Sequence, residues 1–280
     1  MKTELRRLSD YEPLTNAVLK LVAKKTAFHT DVPLDEMMSR HPRLIVAFNH
    51  ASPLSWIPAP CLLTAQLAAR GGGSRRPIAV MDRFFYSLPG LKDVAKFITQ
   101  SDRPLRFEEL VQHFEELGTA DLVVFPEGSN CFFGDPMSLQ PFRSDRFVEI
   151  AMRTNTPILL CVHRGSERWG INVPLTENLT TKISELPLPS FVQKFIGNRL
   201  KENGGLTVPL PPTPMAQFSM YTRIFYPQVP NDLSRSQADF SSHEWREQVS
   251  IQASKVHQEM RSMLDHLDDL TANSFSESRI

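Results

Sequence analysis

The sequence predicts an α/β fold, with a largely parallel or mixed central sheet flanked by helices and a long C-terminal helix. Three observations predict it. Short apolar runs recur at 44–48, 78–81, 122–125, 158–162 and 220–226, the length and composition of buried strands. Amphipathic or apolar stretches of helical length alternate with them, at 56–69, 105–117 and 147–154, the order that builds a sheet through crossover helices. From 243 to 270 an apolar seam repeats every three or four residues through Val249, Ala253, Val256, Met260, Met263, Leu267 and Leu270, which marks one long helix with a packed face.

The remaining elements follow in order. Leu14, Val18, Leu21 and Val22 share one face of a helix over 13–25, with Lys20, Lys24 and Lys25 near its end. That face packs on the sheet or touches a membrane. Residues 31–40 read as a polar connector with helical character. The stretch 70–77, RGGGSRRP, reads as a flexible basic loop, either solvated or offering glycine backbone N–H groups and Arg70, Arg75 and Arg76 to an anion. Within a proline-rich region, 190–201 places Phe191, Val192, Phe195 and Ile196 on one helical face flanked by Lys194, Arg199 and Lys201. This suits an interfacial helix or a cover over the sheet. The tail from 271 to 280 reads as disordered. The division expected is a helical segment 1–41, an α/β domain 42–230, and a helix with its tail 231–280.

Composition narrows the function. Hydrophobic residues make up 41% and charged residues 22% of 280 positions, as in folded globular chains. Net charge is zero, so bulk charge gives no support to a nucleic-acid partner. Three widely spaced cysteines, Cys61, Cys131 and Cys161, read as packed, reduced thiols of a cytoplasmic protein. No C-x-x-C or H-E-x-x-H pattern is present, so no metal site is expected. No apolar run reaches 18 residues, so no membrane span is expected.

Two strand ends carry the chemistry. The run 44–48 ends in Asn49-His50, followed by Ala51-Ser52-Pro53. A histidine there sits at the carboxyl edge of the sheet, where open α/β folds bind ligands, and imidazole moves protons at neutral pH. The alternative is a histidine hydrogen-bonded in a loop. The run 122–125 ends in Phe125-Pro126-Glu127-Gly128. NH followed by FPEG resembles the glycerolipid acyltransferase family, whose members include 1-acylglycerol-3-phosphate acyltransferases. The intermediate stretch 81–103, with its Pro-Gly pair, apolar run and closing Arg103, is similar in order. So are Pro141-Phe142-Arg143 and 156–162. The resemblance spans about 42 to 162. Ser55 stands where the family has Asp, five residues after the histidine. Ser129-Asn130-Cys131 follows FPEG in place of Thr-Arg-Ser.

The resemblance implies an α/β acyltransferase that moves a fatty acyl group from acyl-CoA or acyl carrier protein, a co-substrate rather than a bound cofactor, to a glycerolipid or lysophospholipid hydroxyl. It implies His50 and Ser55 as the catalytic pair. Arg103, Phe125, Pro126, Glu127, Gly128 and Arg143 are the substrate-binding set. With no spanning helix, such an enzyme would work at the membrane surface. His50 suits the base, and the cationic pocket falls to Arg103, with Arg143 second. Backbone N–H groups around 125–128, or at a helix opening after Pro53, suit the oxyanion. Glu127 either organises the pocket or caps a turn. Asp82 and Asp102 are the carboxylates placed to replace the missing Asp. Two other readings stand beside this one: a lipid- or acyl-CoA-binding module without catalysis, and a serine hydrolase using Ser52 or Ser55. The second lacks a G-x-S-x-G elbow.

Overall fold

The computed structural model describes residues 5–87, 90–174, 205–229 and 239–277. The helix expected at 190–201 lies outside these residues. In chain order the elements are helix α1 (Leu8–Val22), strand β1 (Thr26–Thr30), α2 (Leu34–Arg40), β2 (Ile45–Phe48) and α3 (Pro58–Ala68). Then come β3 (Arg76–Ala79), α4 (Phe84–Ser87), α5 (Leu91–Thr99), α6 (Phe107–Leu117), β4 (Ala120–Val124), α7 (Arg146–Thr154) and β5 (Ile158–Arg164). The chain finishes with β6 (Gly170–Pro174), β7 (Gly205–Pro209), β8 (Phe218–Phe225) and α8 (His243–Glu277).

Six strands form one mixed sheet in the order β1-β8-β5-β2-β4-β3. The four strands β5, β2, β4 and β3 run parallel. β8 lies antiparallel to β5, and β1 lies parallel to β8. This is the α/β fold expected, with β2 inside the sheet and flanked by β5 and β4.

Side chains alternate across β2. Ile45 and Ala47 join a core with Phe114 of α6, Val148 and Met152 of α7, and the α8 seam. Val46 and Phe48 face the other way, into a core with Leu8 and Leu19 of α1 and Leu62, Leu63 and Leu67 of α3. Both faces of a parallel strand are covered by helices, which is why its sequence is apolar throughout. The expected C-terminal seam is buried from Val249 to Leu267 and lies on β5 and β8. The helix does not stop at Leu270 as expected but runs on to Glu277, with the Thr271 hydroxyl donating to the carbonyls of Leu267 and Asp268. The N-terminal helix packs on α3, with Leu14 and Leu21 outward.

Three strands and two helices, α4 and α5, escape the sequence pattern. β1 is an edge strand that is nowhere fully buried. β6 and β7 form a separate antiparallel ribbon, each only five residues long and carrying Gly and Pro at its ends. Helix α5 is amphipathic but only nine residues long.

The basic loop is corrected by the structure. Gly71 takes φ +87° and residues Gly72–Ser74 form a 3-10 turn. A Cβ on Gly72 would lie 2.5 Å from Met38 Sδ and 2.9 Å from the Leu67 carbonyl, so the glycine allows a close approach to α2 and α3. Arg75 is buried, not presented to an anion. Its Nε and Nη2 reach the Asp121 carboxylate at 2.6 and 2.5 Å, and its Nη1 donates to the His41 carbonyl at 3.0 Å. Asp121 also accepts the Leu44 backbone N–H at 2.9 Å. This bidentate pair ties the starts of β2, β3 and β4 together at the amino edge of the sheet.

Candidate active site

Parallel strands end at the same edge, so β2, β4 and β5 deliver their following residues to one place. β2 leads into Asn49-His50, β4 into Phe125-Pro126-Glu127-Gly128, and β5 ends in His163-Arg164.

His50 is held on both its backbone and its ring. Its N–H donates to Glu127 Oε1 at 2.6 Å, while Glu127 Oε2 accepts the Gln140 N–H at 2.6 Å. The ring stands beside Phe125, centroids 5.2 Å apart, and Phe125 stacks on Phe48 at 5.3 Å. The Nδ1 atom lies 3.1 Å from Ser55 Oγ. Ser55 donates its one proton to the Ser52 carbonyl at 2.8 Å and accepts the Ser52 N–H at 3.1 Å. Its oxygen is therefore an acceptor toward the ring, so Nδ1 carries the hydrogen and Nε2 is the basic nitrogen. Burial pulls the His50 pKa down to about 4, partly opposed by a hydrogen bond to the Ser52 backbone. The ring is neutral at physiological pH.

Ser55 reaches His50 without the helix expected to open at Pro53. Residues 51–57 are a chain of turns, with Ser55 N–H on the Ser52 carbonyl and Ile57 N–H on the Leu54 carbonyl. Helix α3 begins only at Pro58, which fits a first helical position. The Gly128 N–H, one of the oxyanion donors expected, closes a turn on the Phe125 carbonyl at 3.0 Å.

Glu127 is buried, and burial pushes its pKa up to about 8 against the two backbone N–H groups that favour the carboxylate. It organises the site: through its two oxygens the FPEG turn holds the His50 peptide and the 138–140 loop. Gly128 has φ +50° and lies against the Arg143 side chain, with a built Cβ only 3.3 Å from Arg143 Cδ. The Arg143 N–H donates to the Pro126 carbonyl at 2.9 Å. Its Nη1 reaches Ser129 Oγ at 3.0 Å and Asp82 Oδ2 at 3.2 Å.

Thus His50, Ser55, Phe125, Pro126, Glu127, Gly128 and Arg143 come together. Arg103 does not. Its guanidinium pairs with Glu109 at 2.8 and 3.1 Å at the start of α6, exposed and outside the cavity described next. The two carboxylates considered as substitutes for the missing Asp are also engaged elsewhere: Asp82 with Arg143, and Asp102 with Lys96 at 3.2 Å. The carboxylate bonded to His50 is Glu127, and it holds the backbone rather than the ring.

A cavity of about 1840 Å³ opens beside His50. Its wall is the sheet face carrying Val46, Phe48, Val123 and Phe125, roofed by α1, α3 and α5, with β7 contributing at one end. The lining is overwhelmingly apolar.

One residue that sequence reasoning passed over supports this edge. His163 is fully buried, and its Nε2 donates to the Asn49 carbonyl at 3.0 Å. The Asn49 side chain returns the contact, accepting the His163 N–H at 2.8 Å. Burial takes the His163 pKa down to about 3. The signal was present: the β5 run, like β2, ends in histidine.

The cysteines are unpaired. Burial pushes Cys61 up to about 12 and holds Cys131 and Cys161 well above the ordinary thiol value, so none is a thiolate nucleophile.

No family model matches the chain, and no curated protein sequence matches it. Among solved structures, the chain is similar to the crystal structure of a 1-acyl-sn-glycerophosphate acyltransferase from Thermotoga maritima, at 14% identity and a TM-score of 0.44, over 90% of this chain and 79% of that one. Among the described residues no helix is long and apolar enough to cross a membrane.

Proposed function

We propose that this protein transfers a fatty acyl group from a thioester, acyl-CoA or acyl carrier protein, to a hydroxyl of a glycerolipid or lysophospholipid. One observation carries the reading. A neutral histidine, fixed through Nδ1, lines a large apolar cavity at the sheet edge where FPEG also arrives.

His50 Nε2 takes the proton of the acceptor hydroxyl as its oxygen attacks the thioester carbonyl. The tetrahedral intermediate collapses with cleavage of the C–S bond. The departing thiolate recovers the proton from Nε2. Ser55 orients the ring but adds no charge to stabilise the imidazolium. In the serine proteases, losing that charge costs about 10⁴ in kcat. The apolar cavity takes the acyl chain, and the Arg143 region takes the acceptor headgroup. The protein works at the cytoplasmic membrane surface. Leu14, Leu91 and Val94 line the cavity and remain exposed, and they are better contacts than the basic loop, whose Arg75 is buried.

The decisive assay offers radiolabelled acyl-CoA with a panel of lysolipids. Wild type should form diacyl product. His50→Ala should not, with an unchanged circular dichroism spectrum. Equal turnover by a folded His50→Ala protein would sink this mechanism.

A specific feature favours a second reading. With serine at 55 and a strongly depressed histidine pKa, the imidazolium is poorly supported. A binding protein that holds acyl-CoA or lipid without transfer fits that feature. It predicts stoichiometric acyl-CoA binding with no product from any acceptor.

A further inference from the structure

The charges around the cavity select among acceptors, and this step rests on the acyltransfer reading above. Among the described residues, the charged side chains lining the cavity are Asp82, Arg83, Asp93, Asp121 and Arg143. Asp121 is buried against Arg75 and is spoken for. That leaves two arginines and two aspartates. Arg143 already holds Asp82 at 3.2 Å, both about two-fifths exposed. Its side chain is pressed on Gly128, next to the Glu127 that grips His50. The Asp82–Arg143 pair is therefore where the headgroup of an acceptor would lie while its hydroxyl meets His50. The other arginine expected to bind phosphate, Arg103, is turned away onto Glu109.

A phosphomonoester carries about −1.5 to −2 charges near neutral pH. Docked on Arg143 it would meet Asp82 at close range, like charge on like charge. A zwitterionic phosphodiester headgroup meets the pair differently. Its single negative charge faces the arginines, and its ammonium faces the aspartates. We infer that the acceptor is a lysophospholipid with a zwitterionic headgroup rather than a phosphomonoester, and that Asp82 is the residue that discriminates.

The test has a binding arm and a turnover arm. Short-chain lysolipids below their micellar concentration are titrated into the full-length protein: 1-acylglycerol phosphate, 1-acylglycerophosphocholine and 1-acylglycerophosphoethanolamine. The two zwitterionic ligands should bind about tenfold more tightly than the phosphomonoester, a difference set by one opposed charge at a part-exposed site. Asp82→Asn should shrink that ratio several-fold, by strengthening binding of the phosphomonoester. Equal or tighter binding of the phosphomonoester by wild type overturns the inference, as does failure to bind any of the three. A ratio unchanged in Asp82→Asn overturns the role of Asp82. The turnover arm uses the same three acceptors with acyl-CoA. Preferential transfer to the phosphomonoester overturns the inference and leaves acyltransfer standing. Selective zwitterion binding with no transfer overturns acyltransfer and leaves the headgroup selection standing.

Discussion

His50 Nδ1 meets Ser55 Oγ at 3.1 Å, and Ser55 spends its only proton on the Ser52 carbonyl. The serine therefore does half of what a carboxylate does there. It chooses the tautomer that leaves Nε2 basic. It supplies no negative charge when Nε2 becomes protonated.

Restoring the charge should separate the two effects. Ser55→Asp should raise kcat by about tenfold or more, with little change in donor KM, because the gain falls on the transition state. The nearby charge should also raise the His50 pKa, moving the acid limb of the rate profile to higher pH. Assays from pH 5 to 9 with one donor and one acceptor check both effects. An unchanged rate in a folded variant would mean that tautomer choice alone suffices. Ser55 is fully buried, so the same substitution should lower Tm.

Glu127→Gln keeps size and removes one acceptor. Both Glu127 oxygens accept backbone N–H groups, from His50 and Gln140. An amide can serve one of them and turns its own NH₂ toward the other. We expect a loss of about 1–3 kcal/mol from the donor left unpaired, read by urea unfolding. The rate should fall as the His50 peptide loosens. A variant as stable as wild type would show that the two bonds do not hold the turn.

The parts of this site that were legible share a physical cause. β2 and β4 are covered on both faces, so Ile45–Phe48 and Leu122–Val124 are apolar throughout, and the polar residues after them stand out. Ser55 was placed by the resemblance, at the family's spacing from the histidine, although the turns over 51–57 differ from the helix expected. What stayed illegible depends on distant partners. Arg75 reads as solvated or turned to an anion until Asp121, in another strand, is placed beside it. Arg103 stands in the substrate-binding set by resemblance alone, and its pairing with Glu109 across the turn leaves no mark in that pattern. The cavity belongs to no single segment, since α1, α3, α5 and the sheet face each supply part of its wall.

The placement of Arg103 gives a direct check. Arg103→Ala should leave kcat and KM within about twofold of wild type, because an exposed pair outside the cavity contributes little. Arg143→Ala, which empties the contact with Ser129 and Asp82, should raise acceptor KM by about tenfold or more. A large acceptor defect in Arg103→Ala would mean that Arg103 leaves Glu109 for the substrate.

Asp121→Ala should be among the costliest single changes at the amino edge. It strands the buried Arg75 guanidinium and leaves the Leu44 N–H without its acceptor. Removing one partner of a buried pair costs about 3–5 kcal/mol. The double variant Asp121→Ala with Arg75→Met should recover part of that loss. If the single variant unfolds at the wild-type urea midpoint, the pair is not a structural anchor.

The buried histidines make stability depend on pH in a stated direction. His163 has a pKa of about 3 in the folded protein and an ordinary value near 6.5 when unfolded. Between those values the unfolded chain binds the extra proton, so stability rises with pH. The contribution is complete above about pH 6.5 and is lost as pH falls toward 3, at about 1.4 kcal/mol per pH unit. Glu127 acts in the opposite sense, since its raised pKa makes stability fall as pH rises toward 8, so the net slope of wild type mixes both. Comparison with His163→Gln isolates the histidine. Its side-chain amide can still donate to the Asn49 carbonyl but does not titrate. The advantage of wild type over His163→Gln should shrink by about 2 kcal/mol between pH 7 and pH 5 in urea unfolding. An advantage constant across that range would mean that His163 takes up its proton without unfolding the edge that carries His50.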